Sequence, residues 1–205
     1  MLTLYHSPFS RSTIMIAVLD EMGIADQVKI HLTSVPRLDG SGGADPKNPH
    51  PDGKVPALDH DGTIVTERAA ILTYLSDLFP AAPAIRPAGS DQRGPFLTWL
   101  AYYAGVVEPV LVCNHAGLND PLLQRTFRGP KELAARMAST LADGRDFFLP
   151  DGFSVVDLLM AAPYLWMPDV LPQDPKVVAW FKRVTARPSM VEAGKKDEAD
   201  FTAMA

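Results

Sequence analysis

"LTLYHSPFSRSTIMIAVLDEMGIADQVKIHL", residues 2 to 32, is the stretch on which the fold turns. Residues 2 to 6 (Leu, Thr, Leu, Tyr, His) suit a short strand, and "QVKIHL" at 27 to 32 alternates as a second strand should. Between them Ile14, Val18 and Met22 are spaced along one helical face, so a helix is predicted from Ser12 to Met22, stopped by Gly23. Ser7, Pro8, Ser10 and Ser12 crowd the strand-to-helix junction. Their hydroxyls either cap the helix or offer hydrogen bonds to something bound there.

Working outward, "TSVPRLDGSGGADPKNPHPDG" (33 to 53) is crowded with Gly, Pro, Asp and Ser and reads as a long loop. "VPALDHDGTIV" (55 to 65) reads as a hairpin turning at Asp61 and Gly62, and "ERAAILTYLSDLF" is helical. The order strand, helix, strand, loop, strand, strand, helix defines a small α/β unit over residues 1 to 79. "PAAPAIRPAGS" (80 to 90) holds three prolines among small residues and reads as a linker. Residues 91 to 205 read as helices throughout, so the fold class is α/β followed by an all-α bundle.

The chain has 205 residues, 47% of them hydrophobic and 21% charged, the balance of a folded protein with a core that needs no staples. A net charge of −5, with no basic run longer than the pair Lys195 and Lys196, argues against nucleic acid as a partner. The single cysteine, Cys113, excludes an intrachain disulfide and a multi-cysteine metal site, and it reads as a small buried hydrophobe. No basic leader opens the chain, and no window approaches the roughly 18 uninterrupted apolar residues of a membrane span. The expectation is a soluble cytoplasmic protein with no membrane partner.

Four stretches carry a resemblance: "LYHSPFSRS" at the first turn, "GKVPAL" at 53 to 58, "TERAAILTYL" at 66 to 75, and "FSVVDLLMAAPYLW" at 153 to 166. In this order and spacing the chain resembles the cytosolic glutathione S-transferase superfamily over essentially its whole length. The resemblance implies a thioredoxin-like N-terminal domain that binds glutathione as co-substrate, with no metal, and a helical domain that helps form an electrophile pocket. It further implies a homodimer and attack by the glutathione sulfur on a small hydrophobic electrophile. Relatives also carry glutathione-dependent isomerisation, dehalogenation and ether cleavage on this architecture, and some keep the fold only as a binding module, so fold alone does not choose.

Residue by residue, Pro56 matches a family proline whose preceding peptide bond is cis, and Val55 would offer its backbone N–H and C=O to the cysteinyl part of glutathione like an added strand. Glu67 matches the acid that receives the γ-glutamyl ammonium. Arg68 stands where many relatives have serine: its N–H still serves the γ-glutamyl carboxylate at a helix start, while its guanidinium either binds that group or points into water. Lys54 and His50 are candidates for a glutathione carboxylate, and His50 is equally a solvated loop histidine.

A thiol with a pKa near 8.5 is only a few per cent thiolate at neutral pH. Lowering that pKa by two units takes roughly 2.7 kcal/mol of differential stabilisation, which hydroxyl donors at a helix N-terminus can supply. Ser10 matches the serine of the "SPxS" pattern, Ser7 fits classes whose serine lies earlier, and Ser12 and Tyr5 follow as donors. The register in which beta-like relatives carry a cysteine reaches Arg11, which disfavours chemistry through a protein thiol. His6 reads as the end of the strand. Trp99, Tyr102, Tyr103 and Val107 are candidates for the electrophile pocket, with core packing as the competing reading. Ser154 and Asp157, spaced as an N-capping pair, are assigned to folding.

Overall fold

The computed structural model describes residues 1–204. Strand β1 (Leu2–His6) buries Leu2, Leu4 and His6 and leaves Thr3 and Tyr5 half-exposed on the other face. It runs parallel to β2 (Val28–Leu32) and antiparallel to β3 (Ala57–His60), and β4 (Thr63–Thr66) completes the order β2-β1-β3-β4. The hairpin turns at Asp61 (φ 49°) and Gly62 (φ 90°), the two left-handed positions that a two-residue turn requires. Helix α1 (Thr13–Glu21) follows β1, and α2 (Arg68–Leu78) follows β4. This mixed sheet with its helices is thioredoxin-like, and the rest of the fold is helical.

The chain forms two compact units: Met1–Ala84 together with the residues from Arg187 onward, and Ile85–Ala186. The last helix, α9 (Pro188–Met204), which the sequence reading grouped with the helical domain, packs along α1 in the first unit. Its buried residues Ser189, Ala193 and Asp197 recur every four positions, a stripe of small and polar residues that hydropathy does not flag. At its start the Arg187 guanidinium grips Glu21 of α1 through Nε and Nη2 at 2.6 and 2.7 Å. Burial alone would raise the Glu21 pKa, but hydrogen bonds from Arg187 and Ser189 outweigh it and hold the carboxyl below its ordinary value.

The helical unit contains α3 (Arg93–Tyr102), α4 (Glu108–His115), α5 (Pro121–Phe127), α6 (Pro130–Thr140), α7 (Val155–Trp166) and α8 (Pro175–Thr185). A widened π turn, Tyr103–Val107, joins α3 to α4 directly before Pro109, whose ring and missing N–H disfavour a regular α turn there. The continuous helix Arg93–His115 is long and apolar enough to cross a membrane by length and composition, a feature that a search for uninterrupted apolar runs passes over. Phe96, Trp99, Leu100, Tyr103, Val107 and Leu111 of this helix are buried, as in the core helix of a helical bundle.

Every residue of α7 from Val155 to Tyr164 is buried, so α7 is the centre of that unit. Asp157 near its start accepts hydrogen bonds from the Ser154 N–H (3.0 Å), the Phe148 N–H (2.9 Å) and the Trp180 Nε1–H (2.9 Å). The capping pair is thus carried by the acid, and the buried Ser154 hydroxyl has no partner among the described residues. Burial pushes the Asp157 pKa up to about 6, against the downward pull of its three donors.

Candidate functional site

The sheet register brings three loops to one end of the first unit. Tyr5 pairs with Ala57 and Ala57 with Thr66, both antiparallel. The turn leaving β1, the Val55–Pro56 segment entering β3 and Glu67 leaving β4 therefore lie side by side at one sheet edge. The N-termini of α1 and α2 open at the same edge, each a partial positive charge suited to an anionic group.

In the first turn the hydroxyls bind one another rather than cap α1. Ser12 occupies the N-cap position but makes no capping hydrogen bond. Its Oγ lies 2.7 Å from His6 Nδ1 and 2.8 Å from Ser10 Oγ, and it accepts the Ser7 N–H at 3.1 Å. The Ser10 hydroxyl also has the Ser7 carbonyl at 2.7 Å and accepts the Ser12 N–H at 3.1 Å. Ser7 is buried, and its Oγ faces the Arg37 guanidinium at 3.4 Å. Tyr5 lies on the sheet face opposite His6, its ring centroid 4.7 Å from that of His31.

Asp197 is a part of this turn that sequence reasoning missed. Its carboxylate accepts the Phe9 N–H and the Thr13 hydroxyl through Oδ2, and its Oδ1 stands 3.0 Å from His6 Nε2. Phe9 holds a left-handed backbone (φ 53°) as it makes that bond. Burial alone would raise the Asp197 pKa, but hydrogen bonds from His6, Thr13 and Phe9 outweigh it and bring the pKa below the ordinary value. A buried Asp 191 residues from its histidine leaves no local sequence signal; the one clue is the four-residue spacing with Ala193 and Ser189.

The Val55–Pro56 peptide bond is cis, and Val55 lies just outside the strand ladder, which begins at Ala57. Glu67 is exposed with φ 66° at the mouth of α2. Arg68 is buried, so its guanidinium does not point into water. His50 is likewise no solvated loop residue: it is buried, its Nδ1 accepts the Asp52 N–H at 3.0 Å, and its carbonyl accepts the Gly53 N–H at 2.9 Å. Those bonds fold the approach to Lys54, an exposed residue whose carbonyl accepts from the Asn48 side chain at 3.0 Å.

In the helical unit Trp99, Tyr103 and Val107 are buried, with Trp99 4.5 Å edge-on from Phe148, which is 4.8 Å from Trp180. These three side chains pack the core, because their face of the helix turns toward α7. Tyr102 alone is half-exposed, with the Arg136 guanidinium 3.7 Å above its ring. Cys113, expected to be buried, is half-exposed and lines a crevice of about 300 Å³ with Pro109, Asn114, Leu118 and Phe127.

Comparison with known proteins matches residues 6–78 to the family described as "Glutathione S-transferase, N-terminal domain". Protein LigF of Sphingobium sp. (strain NBRC 103272 / SYK-6) is 26% identical over 200 residues, covering 74% of this chain and 77% of LigF. Among solved structures, a glutathione transferase from Methylococcus capsulatus str. Bath superposes with a TM-score of 0.74 at 25% identity, covering 97% of this chain and 100% of that one. A sphingomonad glutathione S-transferase complexed with glutathione gives a TM-score of 0.74 at 26% identity, covering 96% and 98%.

Proposed function

We propose that this chain, which belongs to the cytosolic glutathione S-transferase superfamily, activates the glutathione thiol for nucleophilic attack on a small hydrophobic electrophile. The observation that carries the reading is the convergence of the serine turn, the cis Val55–Pro56 segment and Glu67 at one sheet edge. Val55, just before the strand ladder begins at Ala57, offers its backbone to the cysteinyl part of glutathione, and Glu67 a carboxylate to the γ-glutamyl ammonium. The Arg68 N–H at the start of α2 suits the γ-glutamyl carboxylate, and Lys54 a second carboxylate. Ser10, half-exposed at the mouth of the hydroxyl cluster, is the leading donor to sulfur, with Ser7 next.

Glutathione aligned in this way loses little further freedom before reaction, and hydroxyl donors hold its sulfur as the nucleophilic anion. The sulfur then forms a bond to the electrophilic carbon as the leaving group departs with its electron pair. We place the activity in the cytoplasm, where glutathione is kept reduced, and in a homodimer. A monomer in sedimentation at micromolar concentration would count against the dimer.

The test is incubation with glutathione and a panel comprising an activated aryl halide, an epoxide, a hydroperoxide and an aryl ether, with products identified by mass. A thioether conjugate formed faster than in the enzyme-free control supports the transferase reading. A dehalogenated or ether-cleaved product without a retained conjugate, formed together with glutathione disulfide as a second glutathione removes the first from carbon, assigns the activated sulfur to that chemistry instead.

A further inference from the structure

We propose that His6 receives the thiol proton of bound glutathione through the hydroxyls of Ser10 and Ser12, and that Asp197 holds the imidazolium so formed. The proposal rests on the glutathione reading above. It begins from a difficulty in the hydroxyl cluster. At rest the Ser10 hydroxyl has two inward acceptors, the Ser7 carbonyl at 2.7 Å and Ser12 Oγ at 2.8 Å. With its proton directed inward, Ser10 turns a lone pair outward, which can accept an S–H but cannot donate to a thiolate.

The inner end of the cluster resolves this. His6 and Asp197 are fully buried, and His6 Nε2 and Asp197 Oδ1 meet at 3.0 Å with no other hydrogen-bond partner for either atom among the described residues. Asp197 Oδ2 already accepts two donors, so the group is held as a carboxylate and Nε2 carries a proton toward it. In the neutral ring Nδ1 is then an acceptor, and the Ser12 hydroxyl proton is directed to it at 2.7 Å in preference to its other acceptor, the Ser7 carbonyl at 3.2 Å.

Passage of one proton inward reverses each bond between the thiol, the two serines and His6, and the Ser10 hydroxyl gives up the Ser7 carbonyl, which keeps Ser12 Oγ at 3.2 Å. The thiol S–H breaks as Ser10 Oγ takes its proton, Ser10 passes its own proton to Ser12 Oγ, and Ser12 passes its own to His6 Nδ1. Each hydroxyl gains one proton and loses one, so the net change is thiol to thiolate and imidazole to imidazolium. Now Nδ1–H donates to Ser12, Ser12 to Ser10, and Ser10 to the sulfur anion. The resting chain accepts the thiol and the shifted chain stabilises the thiolate.

The groups around His6 suit this role. From α9 comes Asp197; from α1 come the neutral Ser12 and, through Asp197, Thr13; from β2 its register partner is Leu32. Arg37, reaching in from the loop after β2, donates to the Pro8 carbonyl at 2.7 Å and lies 3.4 Å from Ser7 Oγ, atoms of the turn rather than of the imidazole ring. The imidazolium is thus faced by one carboxylate. His6 and Asp197 are positioning residues, acting on glutathione only through the two serines.

The test is a proton inventory. Glutathione is titrated into the full chain at pH 7 in two buffers of different ionisation enthalpy, with thiolate measured by ultraviolet absorbance and S-methylglutathione as the thiol-free control. The expected result is thiolate formation with far less than one proton per thiolate reaching the buffer. His6→Gln and Ser12→Ala should each lower the thiolate-to-thiol ratio at pH 7 about tenfold, equivalent to one pKa unit, with one buffer proton for each thiolate that still forms and unchanged S-methylglutathione affinity. Release of a full proton per thiolate by the wild type overturns the proposal, even if neither variant folds. Folded variants that retain the wild-type thiolate fraction and proton balance overturn it too. Failure of the wild type to bind either S-methylglutathione or glutathione overturns instead the glutathione reading beneath it.

Discussion

Removing the Asp157 carboxylate separates two opposing contributions to the helical unit. Asp157→Ala leaves three buried donors, the Ser154 N–H, the Phe148 N–H and the Trp180 Nε1–H, without an acceptor. At about 1–3 kcal/mol for each stranded group the loss is ~3–9 kcal/mol. Against it stands the relief of holding a buried anion at neutral pH. The shift from 3.8 to about 6 corresponds to roughly 3 kcal/mol. Because that shift is already net of the three hydrogen bonds, it is a lower bound on the relief, and the net destabilisation expected at neutral pH is at most ~6 kcal/mol.

The pH dependence carries the sharper content. The folded-state pKa is raised, so the folded protein holds this proton more tightly than the unfolded chain does. This group's contribution is most favourable below its unfolded pKa and falls as pH rises toward and through about 6. Asp157→Asn keeps an oxygen for Phe148 and Trp180, sets its amide against the Ser154 N–H and removes the titration. It should lie within ~2 kcal/mol of wild type at pH 7.5 and be clearly less stable than wild type at pH 4.5. Urea unfolding followed by tryptophan fluorescence reads this directly, because all three tryptophans, Trp99, Trp166 and Trp180, lie within Ile85–Ala186. An Asn variant whose stability relative to wild type is the same at both pH values would show that Asp157 does not titrate with a raised pKa in the folded protein.

Glu67→Ala should weaken glutathione binding about tenfold or more, the value of a hydrogen bond to a charged group, with unfolding unchanged because the side chain is exposed; calorimetry and urea unfolding check the two halves. Ser10→Ala should lower turnover and raise the apparent pKa of the bound thiol, read from a pH series of thiolate absorbance. For Glu21 the sign is opposite to that of Asp157. Its folded pKa is lowered, so its contribution is present above the unfolded value and lost as pH falls through the folded one. Glu21→Gln should therefore flatten the acid limb of the first unit's stability curve, measured by amide hydrogen exchange in α1.

The first unit was legible because its signals are local. Alternation marked β1 and β2, the Asp61–Gly62 pair marked the hairpin, and Ile14, Val18 and Met22 marked α1. The cis Val55–Pro56 bond and the place of Glu67 came from matched motifs and not from periodicity. What escaped depends on distant partners. Asp197 sits in "KKDEADF", a mixed, highly charged run whose composition does not show which side chain is covered, and becomes a buried partner of His6 only because α9 lies along α1. For Trp99, Tyr103 and Val107 the sequence offered both pocket lining and core packing, since aromatic spacing on a helix does not say whether the facing surface is protein or ligand; their burial is the core reading. For His50 the sequence left ligand and solvated loop residue equally open, because the contacts that bury it, to the Asn48 side chain and the N–H groups of Asp52 and Gly53, depend on how the loop folds.

The most direct test of the central claim is a calorimetric titration of the purified chain with reduced glutathione, set against S-methylglutathione. Both ligands should bind saturably, with thiolate absorbance at neutral pH for the free thiol alone. No binding of either up to several millimolar would contradict the glutathione reading, and would leave the hydroxyl cluster as a fold element of a docking module.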